Sequence, residues 1–155
     1  MTIYLVRHAK AGKRSEWHDE DDLRPLSDTG WKQAELLAES LFKLKVTKLI
    51  SSPATRCFQT LEPLAKKAKL RVEIDKRLYE HGDVADMLEI AEEVEDSTVL
   101  SSHGDMIPEL IKTLERRGMK IESKPDWRKA SVWVVGRTNR GFKSAVALAP
   151  PEIDD

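Results

Sequence analysis

Cysteine is the scarcest chemistry in this chain. Cys57 is the single thiol in 155 residues, which excludes an internal disulfide framework and a zinc ribbon. No apolar run approaches the ~20 residues needed to cross a bilayer. Neither sign of charge dominates: 26 Lys and Arg face 27 Asp and Glu, for a formal net charge of −1. A dedicated nucleic-acid or membrane-surface binder would carry a strong bias, so neither partner is expected. A glycine-rich P-loop ending in lysine is missing, and with it the nucleoside-triphosphate motors. The four histidines, His8, His18, His81 and His103, lack the H-x-x-x-H and H-x-x-E-H spacings of helical zinc sites. No metal or other cofactor is expected. Met1–Val6 has no basic lead and meets Arg7 too soon for a signal peptide, which makes the cytoplasm the expected location.

What is present starts at the N-terminus. Ile3-Tyr4-Leu5-Val6 is a continuous apolar run that stops at Arg7-His8, the pattern of a strand buried on both faces. Open α/β sheets bind ligands beyond the carboxyl ends of their strands, so Arg7 and His8 would stand at that edge. Ala9–Leu26 is a long polar loop with an acidic run, longer than an idle connection needs to be. Ser27 or Asp28 can cap a helix over roughly Gly30–Leu44, with Ala34, Leu37, Ala38 and Leu41 as its apolar stripe. A strand at Lys48–Ser51 is followed by Ser52-Pro53, read as an N-cap with proline at the first helical position. Arg56 then falls in the second turn of that helix, and Pro63 predicts a kink rather than a break. Arg71–Ile74 alternates like an edge strand, and Asp83 can cap a helix running to about Val94. Ser97–Ser102 is another buried strand, and it ends at His103-Gly104-Asp105 before a helix from about Met106 to Arg117. Ser131–Gly136 and Phe142–Leu148 form a hairpin that finishes the sheet. The length suits one domain over 1–149, with 150–155 as a frayed acidic tail.

Three strand-to-loop transitions thus deliver Arg7, His8, Arg56 and His103 to one sheet edge. Guanidinium forks match phosphoryl oxygens bidentately, and helix N-termini add partial positive charge. Such a pocket suits phosphoryl transfer, which needs mostly positioning and charge stabilisation. One neutral histidine can attack phosphorus in line while the other histidine and the arginines hold the equatorial oxygens.

These residues carry a resemblance. Leu5-Val6-Arg7-His8-Ala9, Arg24-Pro25-Leu26-Ser27 with Gly30 and Gln33-Ala34, Ser51 to Arg56 with Gln59-Thr60, and Ser102-His103-Gly104-Asp105 resemble the histidine phosphatase superfamily, in its order, from about Ile3 to Ser131. The short chain and the Asp-x-x-Arg-Pro-Leu pattern at Asp21–Leu26 look like the small SixA-type phosphohistidine phosphatase branch. The superfamily's usual Arg-His-Gly reads Arg7-His8-Ala9 here, with a small residue retained. The resemblance implies a three-layer α/β/α sandwich on a mostly parallel sheet, phosphoglycerate mutase-like, without a large lid insertion. It also implies His8 as the phosphorylated nucleophile, Arg7 and Arg56 as phosphoryl ligands and His103 as stabiliser. Two acids compete as proton donor, Glu80 in Leu78-Tyr79-Glu80 and Asp21 in the loop. The implied activity is metal-independent hydrolysis of phosphohistidine on a protein partner. The N-terminal half also resembles the phosphatase domain fused to nudix hydrolases in some actinobacteria, an alternative that implies nucleotides or small phosphate esters. A non-catalytic phosphate-binding module is the third reading.

Overall fold

The first strand, β1 (Thr2–Arg7), feeds two cores at once. Side chains alternate across a strand, so Ile3 and Leu5 join one apolar cluster while Tyr4 and Val6 join the other. All four are buried, which is why the run is apolar without alternation. A computed structural model describes residues 1–153; Asp154 and Asp155, the end of the expected acidic tail, lie outside the described residues.

The remaining strands are β2 (Lys48–Ser51), β3 (Val72–Ile74), β4 (Thr98–Ser102), β5 (Lys120–Ile121), β6 (Val132–Thr138) and β7 (Gly141–Leu148). Their spatial order is β3-β2-β4-β1-β6-β7-β5. The first four in that order are parallel, β6 runs antiparallel to β1 and β7 to β6, and β5 joins β7 in parallel. Helices α1 (Asp28–Phe42) and α2 (Thr55–Ala68) cover the Tyr4 face through Leu37, Leu41, Leu61 and Leu64. Helices α3 (Val84–Glu93) and α4 (Met106–Arg116) cover the Leu5 face through Met87, Ile90, Leu110 and Ile111. This is the expected three-layer α/β/α sandwich on a mostly parallel sheet. Between α2 and β4 the chain forms β3, a 3-10 turn at Lys76–Leu78 and α3, with no inserted lid.

Several local expectations are corrected. Ser52-Pro53 does not start α2; Ala54 is the N-cap and Thr55 the first helical residue. The Ser52 backbone N–H instead donates to Ser101 O at 3.0 Å, extending the ladder by one residue, and its hydroxyl is engaged elsewhere. Arg56 therefore stands in the first turn of α2, not the second. As expected, Pro63 does not break the helix. The hairpin does not finish the sheet, because β5 lies outside β7. At two residues, β5 is too short to show a period. The hairpin strands also run on to a two-residue turn, Asn139-Arg140, with Gly141 at φ +117°.

Helix α1 ties the long loop down. Ser27 Oγ accepts from Gly30 N at 3.1 Å, and Ser27 N donates to Lys10 O at 2.9 Å. A Cβ on Gly30 would lie 1.9 Å from that same Lys10 oxygen, a backbone atom that cannot step aside. Gly30→Ala is expected to cost more than about 3 kcal/mol, the upper range for overpacking. Urea denaturation checks this, and a loss under about 1 kcal/mol would contradict the packing described.

Candidate active site

The parallel strands deliver the site. Arg7 of β1 pairs in register with Ser102 of β4, so the next residues along, His8 and His103, emerge side by side. The His8 N–H donates to Ser102 O at 3.1 Å, which fixes the chain at that exit. Ser51 of β2 pairs with Ser101 of β4, and the turn after β2 swings Arg56 to the same carboxyl edge. The sequence-predicted Arg7, His8, Arg56 and His103 are all brought to this edge, and so are both acids.

His8 is 7% exposed, and its Nδ1 lies 2.8 Å from Ala9 O. A carbonyl only accepts, so Nδ1 carries the proton and Nε2 keeps its lone pair. No described residue hydrogen-bonds that Nε2. Burial pushes the imidazole down to about 3, assisted by His103, Arg56 and Arg7 and opposed by the Ala9 carbonyl. His103 meets the His8 ring edge-on, with centroids 5.7 Å apart, and is 2% exposed. Its Nε2 lies 2.7 Å from Ser52 Oγ. Burial, then the Arg56 charge, lowers His103 to about 4. Both rings are neutral at neutral pH.

Arg56 is 1% exposed, so it is not the surface residue that a lone arginine usually is. Its Nη2 lies 3.1 Å from Glu80 Oε1 and 3.3 Å from Asp21 Oδ2, and its Nη1 donates to Asp21 O at 3.0 Å. Glu80 reaches further, with Oε2 at 3.6 Å from His103 Nδ1. One carboxylate thus spans an arginine and a histidine, as two oxygens of a phosphoryl group would. Burial raises the Asp21 carboxyl, but Arg24, Arg56 and Arg14 outweigh it and hold Asp21 below the usual range. Arg7 donates through Nη1 to Trp127 O at 2.5 Å. A Cβ on Gly104 would fall 2.5 Å from the Arg7 guanidinium carbon, so only glycine leaves that fork its place.

Arg24, Gln33, Gln59 and Thr60 stood among the motif residues, but sequence reasoning gave them no role; they hold the loop. Arg24 is buried, donating to Gly12 O at 2.6 Å and to Asp21 Oδ1 at 3.1 Å. Gln33 Oε1 accepts from Lys10 N, Thr60 Oγ1 from Ala9 N, and Gln59 Oε1 from Leu26 N. The signal was present as polar residues on the otherwise apolar α1 and α2, at spacings that face the loop. Tyr79 OH donates to Asp22, and that bond raises the phenol to about 12.

The buried imidazoles set a pH dependence of stability. Unfolded, each takes its proton near 6.5; folded, only near 3 or 4. Below 6.5 the unfolded state therefore binds more protons, and stability falls as pH drops until the folded values are reached. The ligand-free Tm is expected to fall already between about pH 6.5 and 5, above the carboxylate range, with a full loss on the order of a few kcal/mol. Thermal scans across that interval check this; a flat or rising Tm would contradict it.

Comparisons with known proteins agree with this layout. The profile of the histidine phosphatase superfamily (branch 1) matches residues 3–99. Over 97% of its length the chain is 34% identical to an 8-oxo-(d)GTP phosphatase from Mycolicibacterium smegmatis, of which it covers 49%. It covers 39% and 38% of two further curated relatives, so the chain spans about half or less of the curated proteins it matches. Among solved structures, the protein histidine phosphatase SixA bound to tungstate aligns with a TM-score of 0.73 at 24% identity, over 94% of this chain and 96% of that one. A mycobacterial glucosyl-3-phosphoglycerate phosphatase bound to VO3 aligns with a TM-score of 0.68 at 20% identity, over 92% and 95%. At these identities the two structures speak to the fold alone.

Proposed function

From the premise that this chain belongs to the histidine phosphatase superfamily, we propose that it hydrolyses phosphohistidine on another protein through a covalent phosphoryl intermediate on His8. His8 Nε2 attacks phosphorus in line; a P–N bond forms as the bond to the leaving nitrogen breaks. Arg7, Arg56 and His103 hold the equatorial oxygens, and their donors strengthen as charge develops. The leaving imidazole arrives protonated on its other ring nitrogen and departs neutral, so no external acid is needed for this step. Water then attacks the phosphoryl group, gives a proton to the Glu80 carboxylate, which passes it to solvent, and releases phosphate with His8 neutral again. Asp21 is assigned to bracing, because three arginines keep it ionised.

One observation carries this reading. The Glu80 carboxylate spans Arg56 and His103 beside the bare Nε2 of His8, so the unliganded edge already holds an anion where a phosphoryl group would bind. A protein-borne substrate is favoured because no inserted lid roofs that edge, and small esters would gain little remote binding energy there. Nucleotides form the second reading, favoured by the 34% identity to the 8-oxo-(d)GTP phosphatase.

Side-by-side kinetics test the choice. The expected kcat/KM for a phosphohistidine protein exceeds that for nucleotides and sugar phosphates by at least about tenfold, ~1.4 kcal/mol of transition-state binding. Equal or faster nucleotide turnover would overturn the substrate assignment. No turnover of any phosphoester would return the chain to a phosphate-binding module.

A further inference from the structure

A second basic recess adjoins the phosphoryl edge. Its volume is about 550 Å³, and Arg7, Lys10, Gln33, Arg128, Lys129 and Glu152 line it beside Pro150 and Pro151. Arg7 lines it and closes β1 one residue before His8, so the recess lies next to the phosphoryl edge. The chain is tied there: Ala130 N donates to Arg7 O at 3.1 Å and to His8 O at 3.2 Å. Those bonds set Lys129 next to the exit of β1, with Ala130 at φ +67°.

The polar groups in this recess are strongly biased towards donors. Gln33 spends its carbonyl oxygen on Lys10 N at 3.0 Å, leaving its amide NH2 as the free end. Arg128 is neutralised by Asp126, at 2.6 Å. Neither Lys10 nor Lys129 forms an ion pair among the described residues, and Glu152 is the one carboxylate in the lining. Burial lowers Lys129, and the charges of Arg7, Arg24, Lys10 and Arg14 lower it further. Cations therefore crowd this side of the site with little compensation. Uncompensated cations beside a reaction centre are where a substrate's own charge is best placed.

We propose that Lys10, Lys129 and the Gln33 amide form a second anion subsite, which takes an anionic group bonded close to the phosphoryl group being transferred. This rests on the assignment of the phosphoryl pocket to the Arg7–His8 edge and reaches beyond it to the shape of the substrate. The anionic group has two chemical sources: the carboxylate of an acidic residue beside the phosphohistidine of a protein substrate, or a penultimate phosphate, as in a diphosphate ester, which would move the substrate to the nucleotide reading.

Binding rather than turnover tests it, so that failure of catalysis and failure of the subsite are separable. Titration calorimetry compares methylphosphonate, methylenediphosphonate and phosphonoacetate on the wild-type chain and on Lys10→Met/Lys129→Met. Both lysines are exposed, so the double variant is expected to fold. The wild type is expected to bind at least one of the two doubly anionic probes about tenfold or more tighter than methylphosphonate. The variant is expected to lose most of that preference. Preference for the diphosphonate assigns a penultimate phosphate, and preference for phosphonoacetate assigns a carboxylate. Equal affinity for all three probes, or a preference that survives in the variant, would overturn the subsite. Failure of methylphosphonate to bind at all would instead count against the phosphoryl pocket on which it rests.

Discussion

His8→Ala is expected to lower kcat by at least about a thousandfold, ~4 kcal/mol of barrier, with every phosphorylated substrate. The reason is local. Nδ1 is committed to Ala9 O, so the free lone pair of Nε2 is the one group on this edge poised to reach phosphorus, and the variant removes it. His103 cannot substitute as nucleophile, since its Nε2 is taken by Ser52 and its Nδ1 faces the Glu80 oxygen as a donor, the side a phosphoryl oxygen would take over. The substitution should leave the fold intact, because Ile3 to Val6 anchor β1 in both cores without it. A variant that keeps a tenth of wild-type turnover would remove His8 from the nucleophile's role.

The second large effect belongs to Arg56. It is almost wholly buried and holds Asp21 and Glu80 on one guanidinium. Arg56→Ala would leave Glu80 without its arginine and Asp21 with Arg14 and Arg24 alone. Breaking a buried pair in this way costs about 3–5 kcal/mol of stability. Activity is expected to fall at least about a hundredfold as well, since a donor to the phosphoryl oxygens is lost. Arg56→Lys should recover part of the stability but little of the activity, because an ammonium cannot reproduce the bidentate fork. Chemical denaturation and kcat/KM together check this. A loss under about 1 kcal/mol with activity within tenfold would place Arg56 outside the machinery.

The carboxyl edge was legible because β1 and β4 are apolar runs that each end at a histidine. Those two runs and the corner after β2 were enough to name four of its residues, whereas the strand order came only with the structure. The start of α2 was not legible, although Ser52-Pro53 has the composition of a helix cap. Ser52 is claimed by a tertiary partner, His103, and its N–H by Ser101, and local propensity cannot register either. The role of Arg24, quoted only as a motif residue, went unread for a related reason. In sequence it is one arginine before a proline; in space it is buried and binds a carbonyl twelve residues back along the chain. The competition between Asp21 and Glu80 became meaningful only when both were seen on Arg56. Lys129 carried no signal at all, since its place depends on the Ala130 bonds to Arg7 and His8.

Rapid quench of the wild-type chain with a 32P-labelled substrate tests the covalent route most directly. The expected result is a labelled enzyme formed within the first turnover, its label acid-labile and base-stable and lying on the peptide that contains His8. Label on a different residue, or full turnover with no protein-bound phosphate at any quench time, would contradict it.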